Sequence, residues 1–190
     1  LVANALQDAA VRLTVSRGPA PIGVLAPETQ MPTMLITASA LPPAHGPVRA
    51  IIALSTRRNE QSPLARIKSL NYLDSIIARQ EAERYGVDDA LMLNTQGRLA
   101  EATCSNVFFL IDGSLVTPPV SDGALPGVVR ADLIARFRGE ELSLDLDHLS
   151  RAEEAFLCNA FGIRPLIDIA GQPIGDGAPG LVTQMLATRV

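Results

Sequence analysis

The chain has 190 residues, a formal net charge of -4, and is 47% hydrophobic, 19% charged and 4% aromatic, with no Trp. That apolar content can fill a core and argues against intrinsic disorder, the acidic balance argues against a nucleic-acid or anionic-membrane binder, and no apolar run reaches the roughly 18–20 residues that span a bilayer. Cys104 and Cys158 are too few for a disulfide framework, so a reducing, cytoplasmic setting is expected.

In chain order, residues 1–10 read as the tail of an amphipathic helix. Residues 11–17 alternate as a strand with Val11, Leu13 and Val15 on one face, and residues 34–39 form a second strand. The Pro- and Gly-rich stretch between them, residues 18–32, is a loop. Three prolines and a glycine in residues 41–47 can continue neither a helix nor a central strand, and mark a linker that includes His45. Residues 48–55 form a strand. Residues 69–85 are the longest helical pattern, with Leu70, Leu73, Ile76, Ile77 and Ala78 on one face, polar Arg79, Glu81, Glu83 and Arg84, and Gly86 as the stop. Strands are expected at 90–94, 107–111 and 114–117, with turns at Gly97 and Asp112-Gly113. A helix follows at 128–138, then strands at 156–159 and 165–169 and a terminal helix at 181–188. Elements interleave without a regular βαβ rhythm, which predicts an α+β fold. Residues 1–40 are too short for a domain of their own and would leave apolar faces uncovered. They read as the remnant of a small domain with a portion missing or a partner covering it, and residues 48–190 as the large domain.

Of the 16 basic residues, all but Lys68 are Arg. A coding bias explains most of that, yet only lysine can become a neutral, nucleophilic amine. Lys68 sits in Arg66-Ile67-Lys68-Ser69-Leu70-Asn71-Tyr72-Leu73, between apolar residues that would desolvate it; it reads equally as a snorkelling side chain. Glu101 lies in Leu99-Ala100-Glu101-Ala102-Thr103-Cys104-Ser105-Asn106-Val107-Phe108, in a small-residue turn before an apolar strand, where a plain surface carboxylate is the bland alternative. Thr117-Pro118-Pro119 and Gly123-Ala124-Leu125-Pro126-Gly127-Val128-Val129-Arg130 form a Gly/Pro loop opening a helix, whose free N–H groups suit a phosphate or carboxylate. The run Arg57-Arg58-Asn59-Glu60 reads as a solvated turn. His45 and His148 are not clustered with the cysteines, so no metal site is expected, and no Gly-x-Ser-x-Gly elbow occurs.

A nucleophilic lysine, a carboxylate and a helix N-terminus together meet the needs of pyridoxal 5'-phosphate. The segments Lys-Ser-Leu-Asn-Tyr-Leu, Glu101 to Phe108, Thr-Pro-Pro and Leu-Pro-Gly-Val-Val-Arg, in this order, resemble the class IV (fold-type IV) aminotransferases, as do Ala152-Glu153-Glu154-Ala155-Phe156 and Gly162-Ile163-Arg164-Pro165-Leu166. That family includes D-amino-acid transaminases, branched-chain aminotransferases and aminodeoxychorismate lyases. The resemblance implies a fold-type IV large domain with a truncated small α/β domain, pyridoxal phosphate as cofactor, and transfer of an amino group from an amino acid to a 2-oxo acid. Under it, Lys68 forms the Schiff base and shuttles the proton, Glu101 pairs with the ring nitrogen, and Tyr72 lies near the phenolic oxygen, one residue closer to the lysine than in branched-chain enzymes. Val128, Val129 and Asn159 hold the phosphate, Arg130 supports the loop, and Thr103 and Cys104 line the pocket near the ring.

Arg17-Gly18 matches the family's Arg-Gly after the second small-domain strand and places Arg17 toward substrate. The Arg-x-His carboxylate trap of D-amino-acid transaminases is absent, the chain reading Ile22-Gly23-Val24 there. Two alternatives remain: an aminodeoxychorismate lyase releasing pyruvate and 4-aminobenzoate, and a non-catalytic domain of this fold. A homodimer is expected by analogy.

Overall fold

A computed structural model describes residues 1, 4–43 and 46–189. His45 therefore lies outside the described residues. The chain divides into two compact units, Leu1–His45 and Gly46–Val190.

In the first unit, β1 (Ala10–Ser16) and β2 (Thr33–Ser39) pair antiparallel. Leu13 faces Ile36 and Val15 faces Met34 in the register, so their apolar side chains share one face, and all four are exposed. The helix expected at residues 1–10 is not formed by the described residues there. The Asn4 N–H donates to the Leu1 carbonyl at 2.9 Å in a single tight turn, Ala5 takes a φ of 53° that no right-handed helix accommodates, and the strand has begun by Ala10. The 18–32 segment is irregular, as expected, and Gly18 is needed there: its φ is +89° and a Cβ would collide with the Met31 carbonyl.

The second unit is α+β. Its elements are β3 (Val48–Ile52), α1 (Leu73–Arg84), β4 (Asp89–Leu93), β5 (Leu99–Ala102), β6 (Asn106–Ile111), β7 (Ser114–Thr117), α2 (Val128–Phe137), β8 (Glu140–Glu141), α3 (Leu146–Leu149), β9 (Glu154–Asn159), β10 (Gly162–Ile169), β11 (Gln172–Pro173) and α4 (Leu181–Ala187). The strands form one mixed sheet in the order β5-β4-β3-β10-β9-β6-β7-β8, with β11 on β10. β5 stands at one edge and β6 five places away, yet only three residues join them. A connection that short forces the sheet to curl until its edge returns beside β6. Inside the curl lies a core that includes Leu91, Leu99, Val107, Phe109, Leu157 and Leu166. Outside it, α2 and α4 cover Phe108, Phe156 and Cys158, with the two rings stacked at 5.2 Å between centroids. α1 covers Ala53, Ala90 and Met92.

Several differences from the sequence pattern matter. α1 starts at Leu73, not Ser69, leaving residues 68–72 as an irregular lead-in that carries Lys68. It buries Ala78, Glu81 and Ala82, whereas Leu73, Ile76 and Ile77 are 66%, 48% and 43% exposed, so the bulky stripe expected to face the core faces outward. Small residues on both surfaces let the helix approach the sheet closely. Glu81, expected on the polar face, is buried because it accepts hydrogen bonds from the Leu54 and Ser55 N–H groups and the Ser55 hydroxyl. Those same bonds end β3 at Ile52, short of the expected Ser55, by diverting its next donors. Glu101 lies within β5, not in a turn, and the residues around His148 form α3, closed by a capping box between Asp145 and His148.

The Ser55 hydroxyl, with its backbone N–H, holds the Glu81 carboxyl below its ordinary value. A depressed folded-state pKa adds stability that is fully present above the unfolded-state value and lost as pH falls through the folded one. Glu81→Gln should therefore lower stability by ~1–2 kcal/mol at neutral pH, and urea titrations of variant and wild type should converge in acid, below the ordinary value of 4.5.

Candidate active site

The register places the key groups on the outer face of the curled sheet. Glu101 sits opposite Met92, which packs under α1, and Asn106 opposite Cys158, which packs under α2. Both therefore open into the space between the two helical layers.

Glu101 is 9% exposed. Its carboxylate is met by the Arg58 guanidinium at 3.1 Å, the Leu125 N–H at 2.9 Å and the Asn106 amide at 3.4 Å. Desolvation by burial pushes its pKa up, against the pull of Arg58, the Leu125 N–H, Lys68 and Arg130. Asn106 also donates to the Leu125 carbonyl at 2.9 Å, fixing the loop that opens α2. Gly127 caps that helix with no side-chain hydrogen bond, so Val128 and Val129 present N–H groups without intrahelical acceptors. A Cβ on Gly127 would lie 2.2 Å from Asn106 Oδ1, so glycine is needed for the helix start to approach this strand.

Lys68 is exposed, rather than enclosed by its apolar neighbours, and donates to the Tyr72 hydroxyl at 2.7 Å. The two are four residues apart in the lead-in to α1. Arg130 is 5% exposed, donates to the Pro118 carbonyl and pairs with Glu141, which braces the loop before α2 as the sequence reading expected.

Lys68, bonded to Tyr72, is one of the cations that pull on Glu101, and the start of α2 is attached to Glu101 through Leu125. The other expected residues take the following places. The Asn159 amide donates to the Cys104 carbonyl at 3.3 Å and the Ser105 hydroxyl at 3.0 Å, while its oxygen accepts from the Phe161 N–H at 2.9 Å. Its side chain thus braces the 103–105 turn. Thr103 is buried and its hydroxyl donates to Asp89 at 2.6 Å. Cys104 is exposed on the turn, and Arg17 is exposed in the other unit.

Arg58 is the main residue that the sequence reading missed. It belongs to the segment read as a solvated turn, but its side chain is 19% exposed and donates to the carbonyls of Gly123 and Ala65 as well as to Glu101. Glu60 in the same segment is 6% exposed. Nothing local distinguishes Arg58 from Arg57; a buried carboxylate on a distant strand does. Asp89 was also missed: it ties Arg79 of α1, at 2.9 Å, to the 103–105 turn. Among the described residues no group of three or more His, Cys, Asp or Glu is placed to hold a metal ion, and no helix is long and apolar enough to cross a membrane.

Comparison with known proteins places this arrangement. The family model described as amino-transferase class IV matches residues 1–169. A relative from Methanocaldococcus jannaschii, provisionally named a branched-chain-amino-acid aminotransferase, is 36% identical over 98% of this chain and 67% of its own. Among solved structures, a Legionella pneumophila protein provisionally named 4-amino-4-deoxychorismate lyase superposes with a TM-score of 0.89 at 29% identity, over 99% of this chain and 71% of that one. The Escherichia coli branched-chain amino acid aminotransferase gives 0.87 at 27% identity, over 97% of this chain and 65% of that one. The chain spans 35% to 47% of the length of the curated relatives that follow the archaeal one. The chain belongs to the class IV aminotransferase family, and its curled sheet is the fold-type IV architecture.

Two measurements probe this geometry. Gly127→Ala should destabilise the protein by ~1–3 kcal/mol in thermal or chemical denaturation, because Asn106 must move and loosen both Leu125 and Glu101. A thiol reagent should modify Cys104 rapidly in the native state and reach Cys158 only on unfolding, since burial pushes the Cys158 thiol up to about 12.

Proposed function

We propose, from membership of this family, that the chain binds pyridoxal 5'-phosphate on Lys68 and moves an amino group from a branched-chain-type amino acid to a 2-oxo acid. The observation that carries the reading is the Lys68 amine bonded to the Tyr72 hydroxyl, in a unit that also buries the Glu101 carboxylate. The donor set fits the cofactor's chemistry at each of its polar ends. An accessible primary amine suits the aldehyde carbon, a hydroxyl beside it suits the phenolic oxygen, a buried carboxylate suits the ring nitrogen, and free helical N–H groups suit the phosphate. When bound, the cofactor supplies a ring that accepts the electron pair left as a substrate C–H bond breaks.

Each protein group then has one task. The Val128 and Val129 N–H groups bind the phosphate, helped by the positive end of the α2 dipole. Glu101 holds a proton on the ring nitrogen; its burial makes that charge-assisted hydrogen bond stronger than it would be in water. Tyr72 orients the Lys68 amine, which takes the proton from the substrate Cα and returns it at C4′. Asn159 would hold the 103–105 turn that carries Cys104. Thr103, held by Asp89, supports that turn from below, and Arg17 is kept as a candidate contact for substrate.

A second reading is supported by the Legionella neighbour: the same lysine releases pyruvate and 4-aminobenzoate from aminodeoxychorismate. A second copy of the chain is expected to cover the outward apolar stripe of α1, where Leu73, Ile76 and Ile77 adjoin the lysine lead-in.

With pyridoxal phosphate added, the protein should develop a visible absorption band that borohydride fixes covalently, and Lys68→Ala should lack it. Failure of the wild type to form that band overturns the reading in favour of a non-catalytic domain. Assays with branched-chain amino acids and with aminodeoxychorismate then separate transferase from lyase. Sedimentation should give two chains per particle, reduced to one by Leu73→Asp.

A further inference from the structure

The Glu60 carboxylate is 6% exposed and takes no part in the chemistry described above. It lies two residues after Arg58, in the segment between β3 and α1, and reaches across to the β4–β5 turn. One oxygen accepts from the Thr95 hydroxyl at 2.6 Å and from the Gln96 amide at 3.5 Å, and the other from the Thr95 N–H at 3.1 Å. These bonds, the Thr95 hydroxyl first, hold Glu60 below its ordinary value, so it is an ionised anchor. At the same place the Arg58 N–H donates to the Leu93 carbonyl at 2.9 Å, and Arg58 forms a parallel bridge with Asn94.

On its other side the segment packs against Gly123, where a Cβ would stand 3.3 Å from Arg58 Cβ and 3.5 Å from Glu60 Cβ, and whose carbonyl accepts from Arg58 Nε. The guanidinium that leaves this clamp ends 3.1 Å from Glu101. We propose that Glu60 is a positioning residue: by tying its segment to the β4–β5 turn through Thr95, it fixes the Arg58 guanidinium against the Glu101 carboxylate. A long arginine side chain loses much rotamer freedom when held, so a backbone anchored two residues away decides how well that ion pair is kept.

The inference rests on the proposed function only for its consequence, that Glu101 meets the cofactor as a carboxylate. Its test is made on the cofactor-free protein. The 13C-carboxyl resonance of Glu101, assigned with Glu101→Gln, is followed against pH in wild type, Thr95→Val, Thr95→Ser, Glu60→Gln and Arg58→Met. Three cations act on Glu101 from the packed elements: Arg58 from the clamped segment, Lys68 from the lead-in to α1, and Arg130 from α2. All three are retained in the Thr95 and Glu60 variants. Thr95→Val and Glu60→Gln should raise the Glu101 midpoint in the direction that Arg58→Met raises it, and Thr95→Ser should restore it.

Thr95 lies on an exposed turn, so its variants keep the test available if Glu60→Gln does not fold. A Thr95→Val protein with a lowered melting temperature and a wild-type Glu101 midpoint would overturn the proposal and leave Glu60 a purely structural anchor. Absence of a cofactor band is a different failure: it overturns the functional reading and leaves the titration result standing.

Discussion

A carboxylate taken out of water must be compensated, and much of the C-terminal unit is arranged around compensating Glu101. Its burial alone drives the group toward the neutral form. Against that stand one guanidinium at 3.1 Å and one backbone N–H at 2.9 Å, each from a loop remote in sequence. Arg58 ties in the segment after β3, and Leu125 ties in the loop that opens α2. Satisfying this one side chain therefore fixes where the lysine-bearing lead-in begins and where the helix N-terminus points. A neutral residue at this position would leave Arg58 as an uncompensated partner in turn.

The curl of the sheet makes that arrangement possible. Because β5 passes into β6 through the 103–105 turn, Glu101 and Asn106 open into the same space although their strands lie far apart in the sheet order. The turn is held from two sides, by Asp89 through Thr103 and by Asn159 through Cys104 and Ser105. Two helices pack on the outer face by different means. α1 lies close through Ala78 and Ala82, and α2 through Leu133 with Val129 and Ile134 around the stacked Phe108 and Phe156. Close packing through alanines leaves Leu73, Ile76 and Ile77 of α1 largely exposed, which turns an apolar sequence stripe into surface near the lysine lead-in.

The N-terminal unit poses the same question with less protein. A two-stranded ladder aligns Leu13 with Ile36 and Val15 with Met34 and buries none of them. Two strands alone do not make a stable apolar layer in water. The expectation that these forty residues leave apolar faces uncovered therefore follows directly from their pairing, whereas the expected helix before them does not form in the described residues.

The sequence by itself determined the elements whose signals are local. The strands at 107–111 and 114–117 were legible from short apolar runs joined by a Gly turn, and α2 from the Pro-Gly that opens it. The lone lysine, the glutamate and the glycine-led helix start carried the family resemblance, because nucleophile, carboxylate and N–H donors are fixed by residue type. Tertiary structure decided everything that depends on a distant partner. Arg58 and Arg57 are indistinguishable as neighbours in a basic run, and only the carboxylate on β5 selects one of them. Glu81 looked solvated until two backbone N–H groups beyond β3 claimed it. The outward turn of Leu73, Ile76 and Ile77 could not be read from helical periodicity, since an amphipathic pattern gives the face but not what covers it. Local pattern sets conformation, but burial and charge compensation are properties of pairs, and most pairs here join residues dozens of positions apart.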